Sequence, residues 1–256
     1  VTEEGTKVER VYTSFFAKTT RKSRRPALPH RVSVAPEEAR EVQERLAGLV
    51  ETEDRLGPVR LVAGADARFE PGVAWAAVAV LSLPELERRD QAAARWPDPA
   101  PYVPGLFSLR EAPAVLAALA DLRIRPDVLL CDGHGLAHPR RFGLACHVGV
   151  LADLPTVGVA KTRLVGHHGD VPGARGAWAP LVHEGEVVGA ALRTRPGVKP
   201  VYVSTGHRVS LPTAIELVLR CSPRYRVPEP IRRAHELAAV AGADGTKCFR
   251  GRGAVR

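Results

Sequence analysis

The stretch Val73–Leu83 reads VAWAAVAVLSL and carries no charge. As a helix it is too short to cross a bilayer, which takes about 20 apolar residues. Its length and β-branched content suit a strand buried inside a sheet. The turn residues Glu70-Pro71-Gly72 stand before it, and Val59–Phe69 before them is a second strand-like run. The two predict a hairpin. A chain of 256 residues, 45% of them hydrophobic, has apolar material for one α/β domain plus tails.

Residues 36–56 predict an amphipathic helix: Pro36-Glu37-Glu38 start it, Val42, Leu46, Leu49 and Val50 follow at helical spacing, and Gly57-Pro58 ends it. Residues 85–100 are polar and Ala-rich, and a third antiparallel strand is one reading of them. Ser108 is positioned to cap a helix reaching Leu122. Val128–Cys131 and Thr156–Ala160 read as short buried strands, with a helix at Phe142–Leu151 between them. A Gly-rich loop at 165–177 leads to a hairpin joining Leu181-Val182 to Val187–Leu192. A strand at Val201–Ser204 and helices at Leu211–Cys221 and Pro230–Ala241 complete the series, Gly242 ending the last. Antiparallel strands followed by alternating helix and strand predict an α/β mixed sheet with helices on both faces. Residues 1–35 are basic and without periodicity, and are expected to form a disordered tail. The domain then spans 36–241, and 242–256 is a basic, Gly-rich C-terminal tail.

The formal charge is +9, from 37 Lys and Arg against 28 Asp and Glu. Such an excess points to an anionic partner, nucleic acid first, although part of it sits in the tails. Cys131, Cys146, Cys221 and Cys248 form no CxxC pair, and the first three lie in apolar segments, where a thiol acts as a small hydrophobe. Zinc on Cys131, His134, His138, Cys146 and His147 is disfavoured, since their spacing matches no common finger. Reduced cysteines and a basic, polar start without an apolar leader predict a cytoplasmic protein with no membrane association. A monomer is the default.

The chemistry concentrates on a few side chains. Asp66 lies inside the apolar run Val59–Phe69, and Asp132 directly follows Val128–Cys131. A carboxylate in such a setting is costly unless paired or bound to a cation. The bland alternatives are a solvated strand-edge acid for Asp66 and an Asp-Gly turn for Asp132. Glu111 completes the pattern Ser108-Leu109-Arg110-Glu111, which a capping box also explains. His235 falls near the apolar stripe of the last helix, where a histidine is commonly a core residue. Together three carboxylates and a histidine suit metal-assisted phosphodiester hydrolysis. Oxygen ligands such as Asp66 and Asp132 fit Mg²⁺, which lowers the pKa of an attacking water, while a Glu or His orients it. Tyr102, in the stiff loop Pro101–Gly105, is a ring that could wedge into a base stack or simply pack. Gly133–Arg141 combines glycines that permit close backbone approach with His and Arg residues suited to phosphates. Lys161, at a strand end, is placed to meet a phosphate or to face water.

Six segments in order resemble the endonuclease V family. They are Val62–Asp66 (VAGAD), Pro101–Glu111 (PYVPGLFSLRE), Asp132–Gly143 (DGHGLAHPRRFG), Pro155–Lys161 (PTVGVAK), Leu192–Ser210 (LRTRPGVKPVYVSTGHRVS) and Arg226–His235 (RVPEPIRRAH). The resemblance implies a ribonuclease H-like fold. It implies Mg²⁺-dependent hydrolysis, Mn²⁺ substituting, of the second phosphodiester bond 3′ of hypoxanthine, in DNA containing deoxyinosine or another deaminated base. By the same resemblance Asp66, Glu111, Asp132 and His235 are the catalytic positions, with Asp66 and Asp132 on the metal. Tyr102 matches the strand-separating wedge, Gly133, Gly135 and His138 the segment lining the lesion pocket, and Lys161 a lysine near the scissile backbone. Arg110 joins these at the nucleic-acid interface. Arg68 stands where the family usually has a small residue. The rival readings are an endoribonuclease acting on inosine in RNA and a nucleic-acid-binding protein without catalysis.

Overall fold

The computed structural model describes residues 36–97, 106–244 and 248–250. Strand β2 (Val73–Ser82), the uncharged run, is buried along its whole length. It pairs antiparallel with β1 (Leu61–Glu70) from Leu61↔Ser82 to Glu70↔Val73. The turn between them needs Gly72, whose φ is +75°. A strand buried on both faces must be covered on both, and that requirement organises the rest of the chain.

Residues 85–100 do supply a third antiparallel strand, β3 (Arg88–Pro97), paired with β2. Its weak signature has a physical cause. Arg88, Arg89 and Arg95 face water, and only the small Ala92, Ala93 and Ala94 are buried. On the other side of β1, β4 (Val128–Cys131) runs parallel to it and β5 (Thr156–Ala160) parallel to β4. Helices α2 (Phe107–Ala120) and α3 (Leu144–Ala152) make the crossovers. Strands β8 (Val201–His207), β7 (Glu186–Leu192) and β6 (Trp178–His183) then extend the sheet antiparallel. With the short β9 (Cys248–Arg250) on β3, the sheet has, among the described residues, nine strands in the order β6-β7-β8-β5-β4-β1-β2-β3-β9.

The alternation of strand side chains divides the core in two. Val62, Val128, Leu130, Val157 and Val159 pack with Ile215, Leu217 and Val218 of α4 (Leu211–Arg220) and with Ile231 of α5 (Glu229–Asp244). Ala63, Ala65, Leu129 and Cys131 pack with Val115 and Leu116 of α2 and with Leu144 and Val148 of α3. The sheet is therefore mixed and has helices on both faces, as the element order predicts. Cys131, Cys146 and Cys221 are buried and reduced, and burial pushes the thiols of Cys146 and Cys221 up to about 12. They are inert fillers of the core. No helix among the described residues is long and apolar enough to cross a membrane.

Several boundaries differ from expectation. The helix expected over 36–56, α1 (Pro36–Ala47), stops before Gly48. The chain beyond it spends its polar groups on the end of β8. The Glu51 amide donates to His207 Nδ1 at 3.2 Å, the Arg208 amide to the Glu51 carbonyl at 2.6 Å, and the Arg55 amide to the Arg208 carbonyl at 3.0 Å. The second helix begins at Phe107 with Leu106 before it and no side-chain cap, so Ser108 lies inside the first turn. The helix expected from Phe142 starts at Leu144, because Phe142 is consumed in the core. Strand β8 continues to His207, and α5 runs through Gly242 to Asp244. Gly242 is not a stop. A Cβ there would stand 3.0 Å from Glu70 Oε1, beside the ion pair of Glu70 with Arg68, so the missing side chain leaves room for that pair. The segment 1–35 lies outside the described residues. Part of the segment after Gly242 is ordered backbone, the last turn of α5 and β9.

Asp54 ties the connection after α1 to α4. Its Oδ1 accepts the Ser210 amide at 2.7 Å, and its Oδ2 accepts the hydroxyls of Ser210 and Thr213 at 2.9 and 2.8 Å. Ser210 is itself the N-cap of α4. Burial alone would raise the Asp54 carboxyl, but these bonds outweigh it and hold the group below its usual range. Asp54→Ala should lower stability by about 1 kcal/mol, as the loss of a partly exposed cap does. Since the folded pKa is depressed, the contribution is present at neutral pH and lost as pH falls through the acid range. Denaturant midpoints of both proteins at pH 7 and pH 3 check it: the gap should narrow at pH 3.

Candidate active site

Polar side chains gather at the carboxyl ends of the parallel strands β1, β4 and β5, where open α/β sheets bind their ligands. Asp66 shares the α5 face of β1 with Val62 and Gly64. A Cβ on Gly64 would lie 2.0 Å from the backbone of Pro230, so only glycine lets α5 start directly on the strand. The next turn of α5 carries His235, whose Nδ1 lies 2.6 Å from Asp66 Oδ2. His235 is 67% exposed at its side chain while Asp66 is 11% exposed. The core-residue reading of His235 and the water-facing reading of Asp66 both fail.

Asp132 is fixed by its amide, which donates to the Ala65 carbonyl at 3.0 Å and so extends the β1–β4 pairing past Cys131. Its Oδ2 pairs with Lys161 Nζ, which reaches in from the end of β5. The Lys161 carbonyl is held in turn by Arg226, which also donates to the carbonyls of Lys199 and Pro200. Glu111 comes from the opposite face of the sheet on α2 and is 5% exposed. With Ser108 not capping α2, the capping-box explanation of Glu111 falls away. Burial first, then the charges of Asp66 and Asp132, holds the Glu111 carboxyl well above its usual range. Burial and Asp132 likewise raise Asp66, against the pull of His235 and Lys161.

These carboxylates repel one another in a desolvated place, and a divalent cation is what relieves such a cluster. The donors are all oxygen, which suits a hard cation; Asp66 Oδ2 meets the His235 ring and Asp132 Oδ2 meets Lys161 Nζ. Among the described residues no three His, Cys, Asp or Glu side chains close into a ready-made metal cage. The arrangement fits an ion that keeps most of its water and takes one or two carboxylates.

The segment after Asp132 is placed differently from its phosphate-meeting reading. The His134 ring is kept neutral, its pKa pushed down to about 4 by burial. His138 is 4% exposed and its Nδ1 accepts the Arg140 amide at 3.2 Å. Arg140 Nε donates to Gln43 Oε1 at 2.7 Å, and Arg141 reaches His183, Glu184 and Glu186 of the β6–β7 turn. These bonds bind the segment to its surroundings. Gly135 is forced by packing: a Cβ would sit 2.0 Å from the Thr205 carbonyl oxygen, and its amide donates to Ser204 Oγ at 2.8 Å. Gly133 faces Leu144, 3.3 Å from an added Cβ. Arg110 stacks its guanidinium over the Phe69 ring at 4.4 Å. Tyr102 lies outside the described residues.

Gln43, Ser204 and Arg226 were given no role by sequence reasoning. Gln43 alone offered a signal, a polar residue three before Leu46 and seven before Val50, on the apolar stripe of its helix.

The family model for endonuclease V matches residues 44–236. Endonuclease V of Roseiflexus castenholzii is 59% identical over 215 residues, 84% of this chain and 97% of the relative. That of a Nostoc species is 53% identical over 214 residues, 82% and 97% of the two chains. The crystal structure of endonuclease V from Streptomyces avermitilis superposes with a TM-score of 0.81 at 44% identity, over 85% of this chain and 97% of that one. Endonuclease V of Ciona intestinalis, crystallised with a 24mer DNA containing an inosine followed by a ribo-adenosine, superposes with a TM-score of 0.71 at 27% identity, over 82% and 98%. The fold shared with these structures is ribonuclease H-like.

Proposed function

The chain belongs to the endonuclease V family, and from that membership and its acidic cluster we propose a DNA repair endonuclease that cuts beside deaminated bases. It hydrolyses the second phosphodiester bond 3′ of hypoxanthine and leaves a 5′-phosphate. The observation that carries the reading is the convergence of Asp66, Glu111 and Asp132 with His235 and Lys161 at one end of the sheet. Asp66 and Asp132 would hold Mg²⁺, with Mn²⁺ able to replace it. When bound, the ion lowers the pKa of a water and neutralises charge on the leaving oxygen.

The chain's own groups do the rest. His235, oriented by Asp66, accepts a proton from the attacking water. Glu111, closed off from solvent, would orient the attacking water. Lys161, at the end of β5 beside Asp132, would contact the scissile phosphate. Gly133 and Gly135 bring backbone groups against the extruded base, and His138 shapes this segment from within. Tyr102 serves as the wedge and Arg110 supports the strand beside it. A deaminated base pairs poorly and costs less to unstack, by a few kcal/mol, so extrusion itself favours the lesion. Affinity comes largely from phosphate contacts and falls with salt, with a log–log slope of about −0.9 per phosphate neutralised on duplex DNA. The three buried thiols suit a reducing cytoplasm.

An RNA-directed variant of the same chemistry is the second reading. The ribo-adenosine after inosine in the Ciona complex favours it. Four matched oligonucleotides separate these: inosine or adenine, each followed by a deoxy- or a ribonucleotide. The DNA reading expects inosine-dependent cutting of both inosine strands at similar rates. Cutting confined to the ribonucleotide strand, through its 2′-hydroxyl, would establish the RNA reading, and cutting of the adenine strands would defeat both.

A further inference from the structure

A buried polar chain runs behind the acidic cluster and takes no part in the chemistry above. Gln43 of α1 is 0% exposed, beside Val42 at 1%. A buried amide is costly unless both its ends are bonded. Its Oε1 accepts from Arg140 Nε at 2.7 Å, and its Nε2 donates to Ser108 Oγ at 3.0 Å. Ser108 is 5% exposed, and its Oγ lies 3.5 Å from His147 Nδ1 on α3. Ser108 Oγ thus accepts from Gln43 on one side and meets that ring on the other. Burial keeps His147 neutral, with its pKa pushed down to about 3. The order is directional as far as Ser108, guanidinium to amide and amide to hydroxyl, and the hydroxyl then meets the imidazole. An amide suits the middle place because it accepts at one atom and donates at the other. A carboxylate cannot donate there, and an ammonium cannot accept.

The two ends of this chain belong to different parts of the site. Arg140 closes the segment that begins at Asp132. Ser108 stands three residues before Glu111, in the turn of α2 that carries it. Arg141 anchors the same segment on its other side, to His183 at 2.8 Å and to Glu184 and Glu186. Consecutive arginines thus pull the segment toward two separate elements.

We propose that Gln43 is a positioning residue for cleavage: through Arg140 and Ser108 its amide locks the backbone at Gly133–Gly135 and the helix bearing Glu111 into one register. This rests on the nuclease reading above.

The test is Gln43→Met, which keeps length and helix propensity and loses both bonds. Hydrogen exchange on the full chain without substrate should show faster exchange at 133–143 and 108–111, with α4 unchanged. Single-turnover cleavage of an inosine substrate should fall about tenfold, within what a small misplacement of catalytic groups costs. Ser108→Ala should lose a similar factor, and the double variant no more than the worse single one. Val42→Ala, a cavity in the same helix, lowers stability but should leave cleavage within about twofold well below its melting point. Unchanged exchange in Gln43→Met, or cleavage in Val42→Ala falling as far as in Gln43→Met, would overturn the proposal. A wild-type protein that cuts neither inosine DNA nor inosine RNA would defeat the nuclease reading itself, a result told apart because exchange is read without substrate.

Discussion

Asp66→Asn and Asp132→Asn are each expected to slow single-turnover cleavage of a deoxyinosine duplex at least about a hundredfold, or about 2.7 kcal/mol of transition-state stabilisation. Each change keeps the shape of the side chain and removes its charge. Asp66 loses its hold on His235 and part of the cation's charge complement; Asp132 loses its pairing with Lys161 and the rest. Affinity for the lesion duplex should survive, because it rests on phosphate and base contacts away from the ion. Rates at saturating enzyme and binding by fluorescence anisotropy separate the two quantities. Near-full activity in either variant would mean that the site lies elsewhere.

Glu111→Gln should have an opposite effect on stability and an equal one on activity. Glu111 is buried and faced by Asp66 and Asp132, so its carboxyl holds its proton well above the usual range. Folding therefore favours the protonated form, and the folded chain binds more protons than the unfolded one above the ordinary pKa of 4.5. Stability of the metal-free protein then falls as pH rises through the folded pKa. Asp66, also raised, adds to the same slope. Glutamine has no proton to lose. The metal-free variant should be at least about 1 kcal/mol more stable than wild type at pH 8, a gain of about 2–4 °C in melting point for a chain of this size. The two should converge toward pH 5. Added Mg²⁺ should raise the wild-type melting point by binding the folded state, and Asp132→Asn should lose most of that rise. Cleavage by Glu111→Gln should fall at least about a hundredfold. Thermal melts in chelator at both pH values decide it; parallel curves would show that Glu111 is not held in repulsion with its neighbours.

The central sheet was legible because its determinants are local. The uncharged run at Val73–Ser82, the Pro-Gly turn before it and the short apolar runs ahead of Asp132 and Lys161 each signal a strand on their own. The same locality placed Asp132 at a strand end and Asp66 within a strand. Tertiary contacts hid the rest. Nothing near Gly48 tells that the chain will leave the helix to bond the end of β8, since the partners His207 and Arg208 are distant in sequence. Gly242 looks like a helix stop until Arg68 and Glu70 are beside it. The Ser108–Glu111 spacing satisfied a capping rule, yet packing turned both side chains inward. Arg140 and Arg141 read as phosphate ligands by composition, and only the fold shows that Gln43 and the β6–β7 turn engage them.

The most direct test of the account is to map the cut on a labelled duplex with one central deoxyinosine, in Mg²⁺ and in chelator. The expected result is a single break at the second phosphodiester bond 3′ of the lesion, with a 5′-phosphate end, absent in chelator and absent on the undamaged duplex. Salt-sensitive binding with no cut in Mg²⁺ or Mn²⁺, or cutting that ignores the lesion, would contradict it.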